Sequence, residues 1–258
     1  MRRRAAWLGI AAATLACASL ATAAVIQQGN LRITVLSQIQ PYKLPRKGTA
    51  PIAVFVSGHL STPKGGIPAQ LQKLTVKVNR HGLLQSKGLP VCEISQLQPA
   101  STERAMQNCG DAVIGSGQFW AHIVLPDQGA YPTHGRLLIF NSRKNGKPVL
   151  LTHIFTSNPF FSSFVISFAI RKTKGLYGTE LSASLPQALG SWGYVDRIKL
   201  TLKRKYTYKG QHLSYFNSGC PAPQGVPRVV FPLALASFDF AEDISLTAKV
   251  EKACAVKE

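Results

Sequence analysis

The stretch GLPVCEISQLQPASTERAMQNCGDAVIGSG, residues 88–117, carries the one helix signal of the chain and two cysteines within disulfide reach. Ser101 or Thr102 can serve as the N-cap, and Glu103 then lies in the first turn, where the helix dipole favours a carboxylate. Gly110 is placed to end the helix. A helix of about two turns is not stable alone in water, so packing and a covalent tie must hold it.

The first 24 residues have the pattern of a signal peptide. Residues 2–4 are arginines that form the charged region, and residues 5–20 are an apolar run too short to span a bilayer comfortably. Ala21-Thr22-Ala23 fits an A-x-A cleavage site. The alternative is lipid anchoring at Cys17, but the leucine of Thr14-Leu15-Ala16-Cys17 stands one place away from its usual position in such a motif. We therefore expect a secreted, extracellular protein of the cell envelope.

Export makes the cysteine count informative. Once Cys17 is removed with the leader, an even set of four remains, and three pairings are possible. We expect Cys92 to pair with Cys109 and Cys220 with Cys254, because each pair closes a short segment that can fold locally. The first pair closes a loop of about seventeen residues, worth about 3 kcal/mol by the chain-entropy model. The alternative for this pair is two buried free thiols.

The rest of the chain has the pattern of strands. LRITV at residues 31–35 alternates apolar and polar positions, and Asn145-Gly146 between two apolar runs is a strong hairpin signal. About ten to twelve short strands are separated by glycine and proline turns. We expect an all-β protein, an antiparallel two-sheet sandwich with one short disulfide-tied helix. Residues 25–258 would form one extracellular β domain, or two packed sub-sandwiches.

Charge is the strongest functional indication. The chain has 30 Lys and Arg against 11 Asp and Glu, and loss of the three leader arginines leaves a net charge of +16. Such a charge draws a protein toward anionic surfaces. The clearest alternating strand, residues 198–206, has a row of cations beside tyrosines. The predicted anionic-ligand residues are Arg197, Lys199, Lys203, Arg204, Lys205, Tyr206, Tyr208 and Lys209.

This row has three interpretations. One is binding to an anionic cell-wall polymer or membrane surface of the envelope. Another is nucleic acid, with lysines on phosphates and tyrosines stacked on bases, which export makes the less favoured partner. The third is an ordinary solvated strand face whose tyrosines pack against the sheet. We expect a non-enzymatic envelope or extracellular binding protein, and the sequence says nothing of its oligomeric state.

Motifs for catalysis, metals and cofactors are missing from the sequence. It has no G-x-S-x-G, H-E-x-x-H, C-x-x-C, P-loop or G-x-G-x-x-G pattern, so we predict no catalytic residue, metal or cofactor. His122 and His153 lie inside apolar strands and could be neighbours in a sheet. With an acid they would support the alternative function, a secreted hydrolase of envelope glycan or ester, if a cleft brought a histidine and a carboxylate within hydrogen-bond distance. A structural or adhesive subunit would instead show an exposed apolar patch or a long unpaired edge strand.

Four segments of turn residues and cysteines follow one another along the chain: LPRKGTAP (44–51), GLPVC (88–92), GSWGY (190–194) and GCPAP (219–223). In this order they resemble a group of exported proteins from GC-rich Gram-positive bacteria. The resemblance covers most of the mature chain and implies export and a shared fold. The group has no assigned activity, so the resemblance transfers no catalytic residue.

Overall fold

The computed structural model describes residues 23–124, 129–158, 160–185 and 193–257. The predicted leader up to residue 22, with Cys17 and most of the predicted cleavage site, lies outside the described residues, as does most of GSWGY. The strands, in chain order, are β1 (Ala23–Gln28), β2 (Leu31–Gln40), β3 (Lys43–Pro45), β4 (Ala50–Pro51), β5 (Ala53–Ser61), β6 (Leu71–Asn79), β7 (Gly82–Leu84), β8 (Val113–Ile123), β9 (Tyr131–Lys144), β10 (Lys147–Thr156), β11 (Ser162–Lys172), β12 (Tyr177–Ser184), β13 (Gly193–Leu202), β14 (Lys205–Tyr208), β15 (Gln211–Ser214), β16 (Phe216–Ser218), β17 (Arg228–Phe240) and β18 (Ser245–Lys257).

Thirteen of these strands form one large sheet, and the expectation of a two-sheet sandwich is wrong. The order across the sheet is β1-β2-β5-β13-β8-β9-β10-β11-β12-β6-β17-β18-β3, antiparallel except for the pair β18-β3. The ladder has no break, and the sheet curls until β2 packs its apolar side against β17 and β18. Strand twist accumulates into such curvature. Alternation reveals which side of a strand faces the core, but it does not reveal where one sheet would end.

Two small sheets complete the β structure. β14 pairs with β15, and β16 lies between β4 and β7. The edges of the large sheet are the short strands β1 and β3, which offer little open ladder to another chain. The predicted Asn145-Gly146 hairpin is confirmed: both residues have positive φ, 52° and 73°, and join β9 to β10.

Two helices follow β7, where the sequence predicted one. The predicted helix is α2 (Thr102–Cys109), and Ser101 caps it by accepting a hydrogen bond from the Arg104 N–H at 3.2 Å. The additional helix, α1 (Ile94–Leu97), is a single turn, too short to give a helical repeat in the sequence. Gly110 does end α2, but with a right-handed φ of −52°, and the chain continues into the 3-10 turn Gly110–Ala112.

Both predicted disulfides are present. Cys92 is bonded to Cys109 and Cys220 to Cys254, with Cα–Cα distances of 5.6 and 5.8 Å. All four cysteines are buried. Two buried disulfides are typical of proteins that fold in an oxidising compartment. Within the described residues, no helix has the length and apolar character needed to cross a membrane.

The predicted cationic strand is divided in two. β13 ends at Leu202, and β14 begins only at Lys205 in a different sheet. Between them the Arg204 guanidinium donates a hydrogen bond to the Asp111 carbonyl at 2.8 Å. This contact and the change of sheet place the chain corner at residues 203–204. Arg197 and Lys199 therefore stand on the large sheet, apart from the cations of the β14–β15 hairpin.

Candidate functional site

The outward side of β2, β5, β13, β8 and the adjoining part of β9 carries polar and charged side chains, and we name it the open face. A surface depression of about 620 Å³ runs across it. Directly opposed residues of antiparallel strands project to the same side. The depression is lined by side chains from all five strands, among them Gln38, Phe55, Ser57, Ser116, Gln118, Arg136, Lys199 and Thr201.

Register places cations from distant parts of the sequence in one row. Ser57 lies opposite Lys199, Lys199 opposite Gln118, and Gln118 opposite Arg136. Neighbouring strands are about 4.8 Å apart, so the backbones that carry Lys199 and Arg136 are about 10 Å apart. Gln118 between them offers both a hydrogen-bond donor and an acceptor. The row therefore presents two separated positive charges with a neutral polar group between them.

Trp120 lies in the next row, opposite Arg197, and contacts two cations. The Arg197 guanidinium carbon lies 5.6 Å from the centre of the indole ring, and the Lys199 Nζ lies 5.7 Å from it. These are cation–π distances, which hold both charges against the ring without neutralising them. Arg197 and Lys199 are exposed on β13. The open face thus combines fixed positive charge with an aromatic surface.

A bulge in β13 builds a second feature beside this row. Val195 pairs with Ala121 and Arg197 with Trp120, so Asp196 is the extra residue. Its carbonyl accepts a hydrogen bond from His59 Nδ1 at 3.0 Å. A bulge re-aims the side chain of the extra residue.

The re-aimed carboxylate faces a histidine. Asp196 Oδ2 lies 3.8 Å from His122 Nδ1, and the His122 ring stacks on Tyr194 with centroids 5.0 Å apart. This distance permits an ion pair but exceeds a hydrogen bond. Asp196 Oδ1 and His122 Nδ1 are both buried and have no hydrogen-bond partner among the described residues. The pair borders a depression of about 450 Å³ that Trp120, His134 and Asn158 also line.

His122 and His153 are not neighbours, contrary to the sequence expectation. β9 lies between their strands, where His122 is opposite Pro132 and His153 is opposite Leu138. His153 is fully buried beneath the helices and its Nε2 donates to the Ala100 carbonyl at 3.0 Å. Burial lowers its pKa below the ordinary histidine value. His153 is therefore a structural residue that ties the sheet to the connection between α1 and α2.

The tyrosines of the predicted cationic strand make contacts within the protein. The Tyr206 hydroxyl donates to the carbonyls of Gln85 and Lys87 at 3.0 and 3.1 Å. The Tyr208 ring covers Gly88 so closely that a Cβ there would overlap it. These contacts match the alternative in which the tyrosines pack against the protein. The remaining predicted cations, Lys203, Lys205 and Lys209, lie at the corner and on the β14–β15 hairpin.

Of the predicted binding residues, the structure brings only Arg197 and Lys199 into the open face. Sequence reasoning missed Arg136, Gln118 and His59. Their partners are far along the chain, so no local pattern could have joined them. Alternation in β8 separates Trp120 from Phe119, but both sides of that strand are apolar, so the sequence did not show which side faces solvent or that Trp120 contacts two cations.

Among the described residues, Asp196 is the only acid that lines either depression. Across the part of the chain that the structure describes, no group of three or more His, Cys, Asp or Glu side chains could hold a metal ion. No protein-family model matches this chain, and no curated protein and no solved structure matches it either.

Proposed function

We propose that this chain is a secreted envelope protein whose open face binds an anionic component of the cell envelope. The observation that carries the proposal is the grouping of Lys199, Arg197 and Arg136 around Trp120 and Gln118 on an uncovered sheet face. One acid borders these cations, so the local field is positive. The leader pattern, the two disulfides and the resemblance to exported proteins support the extracellular location.

The binding would be electrostatic and shared among several groups. Each Lys or Arg close to an anionic surface contributes about 1 kcal/mol, and salt screens the attraction over about 10 Å at 0.1 M. The aromatic ring adds a flat contact surface for the apolar side of a ligand. This arrangement fits an extended anionic surface or polymer better than a small ligand held in an enclosed pocket.

The test is retention on isolated cell envelope at increasing salt. The charge-reversal variant R197E/K199E is compared with K144E/K147E, which makes the same change of net charge beside the exposed Asn145-Gly146 turn. We expect the first variant to lose about tenfold or more in retention and the second to stay near wild type. Equal losses in both would reduce the effect to net charge. Retention that does not respond to salt would contradict the proposal.

A second candidate, a hydrolase of envelope glycan or ester, is favoured by one observation. The His122–Asp196 pair borders a depression, and a histidine held by a carboxylate is a common general base. The 3.8 Å separation would have to shorten when substrate binds. Release of product from envelope glycan or an aryl ester by wild type, with at least about a hundredfold loss in H122N and in D196N, would support this candidate. Equal rates in all three proteins would eliminate it.

A further inference from the structure

Two phenylalanines stand exposed in the connection between β10 and β11. The Phe161 side chain is 81% exposed and that of Phe160 is 45% exposed. Tyr131, 42% exposed, lies at the same end of the sheet, where its hydroxyl is 3.5 Å from the Asn158 side-chain oxygen. Exposed aromatic groups of this size are unfavourable in water unless another surface covers them.

These aromatics continue the cationic row of the open face. The Phe161 ring packs against the Phe155 ring at 6.2 Å between centroids. Phe155 lies directly opposite Arg136 on the neighbouring strand, so both side chains project outward. Arg136 is in turn two strands from Lys199. Apolar rings and positive charges therefore share one side of the molecule, with the rings at its end.

This combination distinguishes between the anionic ligands of an envelope. A soluble or wall-bound polyanion needs the cations but has no apolar interior to receive an exposed phenylalanine. An anionic bilayer offers both, because its surface attracts Arg and Lys while its interfacial region receives aromatic side chains. Cations beside exposed aromatics are typical of proteins that lie on a membrane surface.

We propose that the anionic ligand is a lipid bilayer, and that Phe161 and Phe160 insert at its interface while Arg136, Lys199 and Arg197 contact the headgroups. The inference rests on the proposed function, because it assigns the ligand of the same open face. The occupant is the surface of a membrane rich in anionic phospholipid. No conformational change of the sheet is needed, since the rings already point outward.

The test measures binding of the mature chain to three probes: vesicles of phosphatidylcholine, vesicles of phosphatidylcholine with phosphatidylglycerol, and soluble dextran sulfate. The variant F161S is compared with L176S, whose leucine is 52% exposed in the turn beyond the other end of β11. Burying a phenylalanine side chain is worth about tenfold or more in affinity. We expect F161S to bind the anionic vesicles about tenfold less tightly and dextran sulfate as well as wild type does, and L176S to match wild type on both.

A spectroscopic measurement locates the inserted residue directly. In F161W the added indole fluorescence, relative to wild type, should be quenched by lipids brominated on their acyl chains. In L176W it should not be quenched. Both positions are exposed, so folding is checked simply by retention of the native circular dichroism spectrum.

The outcomes separate the two proposals. Vesicle binding that F161S leaves unchanged, or quenching absent in F161W, overturns insertion while leaving electrostatic binding intact. Binding to dextran sulfate and not to anionic vesicles also overturns the bilayer and favours a polymer ligand. Binding to none of the probes, and no retention on envelope, overturns the proposed function itself.

Discussion

The outward side of the large sheet has two parts that differ sharply. Over residues 138–142 of β9 and 149–153 of β10 the two helices and their disulfide cover it, and the outward side chains there are buried. We call this part the covered half: Leu138, Phe140, Val149, Leu151 and His153. Over β5, β13 and β8 the outward side chains are Ser57, Lys199 and Gln118, which face solvent. The outward side chains of the sheet are therefore apolar beneath the two short helices and polar or charged where the sheet faces solvent.

The largest effect on stability should come from removing a buried side chain in the covered half. Phe140→Ala removes a fully buried ring and should lower the free energy of unfolding by about 3–5 kcal/mol, because a cavity replaces it. The matched change Gln118→Ala on the open face should alter it by about 0.5 kcal/mol or less. Urea denaturation measures both. Similar losses at the two sites would contradict the division into a packed and a solvated part.

The second largest effect should come from removing the disulfide that holds the two helices against the covered half. The double variant C92S/C109S removes a cross-link between residues 17 apart in sequence and should cost about 3 kcal/mol. It should also increase the binding of an apolar dye, because the covered half becomes accessible. Binding to anionic vesicles at low temperature should persist, since the open face lies outside the segment that the Cys92–Cys109 disulfide closes. Its loss would show that the two parts are not independent.

On the open face, a substitution should lower the free energy of unfolding mainly where it disturbs the backbone, because most of the side chains there are solvated. At Gly117 on β8 an added Cβ would collide with the Lys199 carbonyl of β13. Gly117→Ala should therefore cost about 1–3 kcal/mol, because the two strands must move apart. It should also weaken envelope retention, since Lys199 moves with its strand. Gly146→Ala is no control, because Gly146 has positive φ. Ser116→Ala, on the adjacent outward position, is the matched change and should be nearly neutral.

The smallest effect concerns pH. Burial lowers the pKa of His153, so below about pH 6.5 the unfolded chain binds a proton that the folded protein does not. Stability should therefore fall as pH falls through this range, by at most about 1.4 kcal/mol per pH unit. H153Q, which can still donate to the Ala100 carbonyl, should show a shallower decline in denaturation curves at pH 7 and pH 5. His81, whose pKa burial also lowers, is present in both proteins, so the difference between them isolates His153. Parallel declines would contradict this assignment.

Local features were predictable from the sequence. The Ser101 cap, the Asn145-Gly146 turn and the pairing of nearby cysteines each depend on a few adjacent residues. The curl of the sheet was not predictable, because pairing between strands distant in sequence leaves no local pattern. The same limit hid the site: Arg136 and Lys199 belong to strands joined only through β8. It also hid the corner at residues 203–204, where the run of cations continues but the sheet does not.

The pairing of β5 with β13 determines how late in synthesis the large sheet can form. His59 and the Asp196 carbonyl are hydrogen-bonded across 137 residues of sequence. The amino-terminal strands are synthesised first, so the edge of β5 that pairs with β13 stays unpaired until most of the polypeptide has been made. Closing so long a segment is slow, and assembly in milliseconds to seconds or longer is expected. Since β13 supplies both Arg197 and Lys199, products truncated before β13 lack these two cations of the open face.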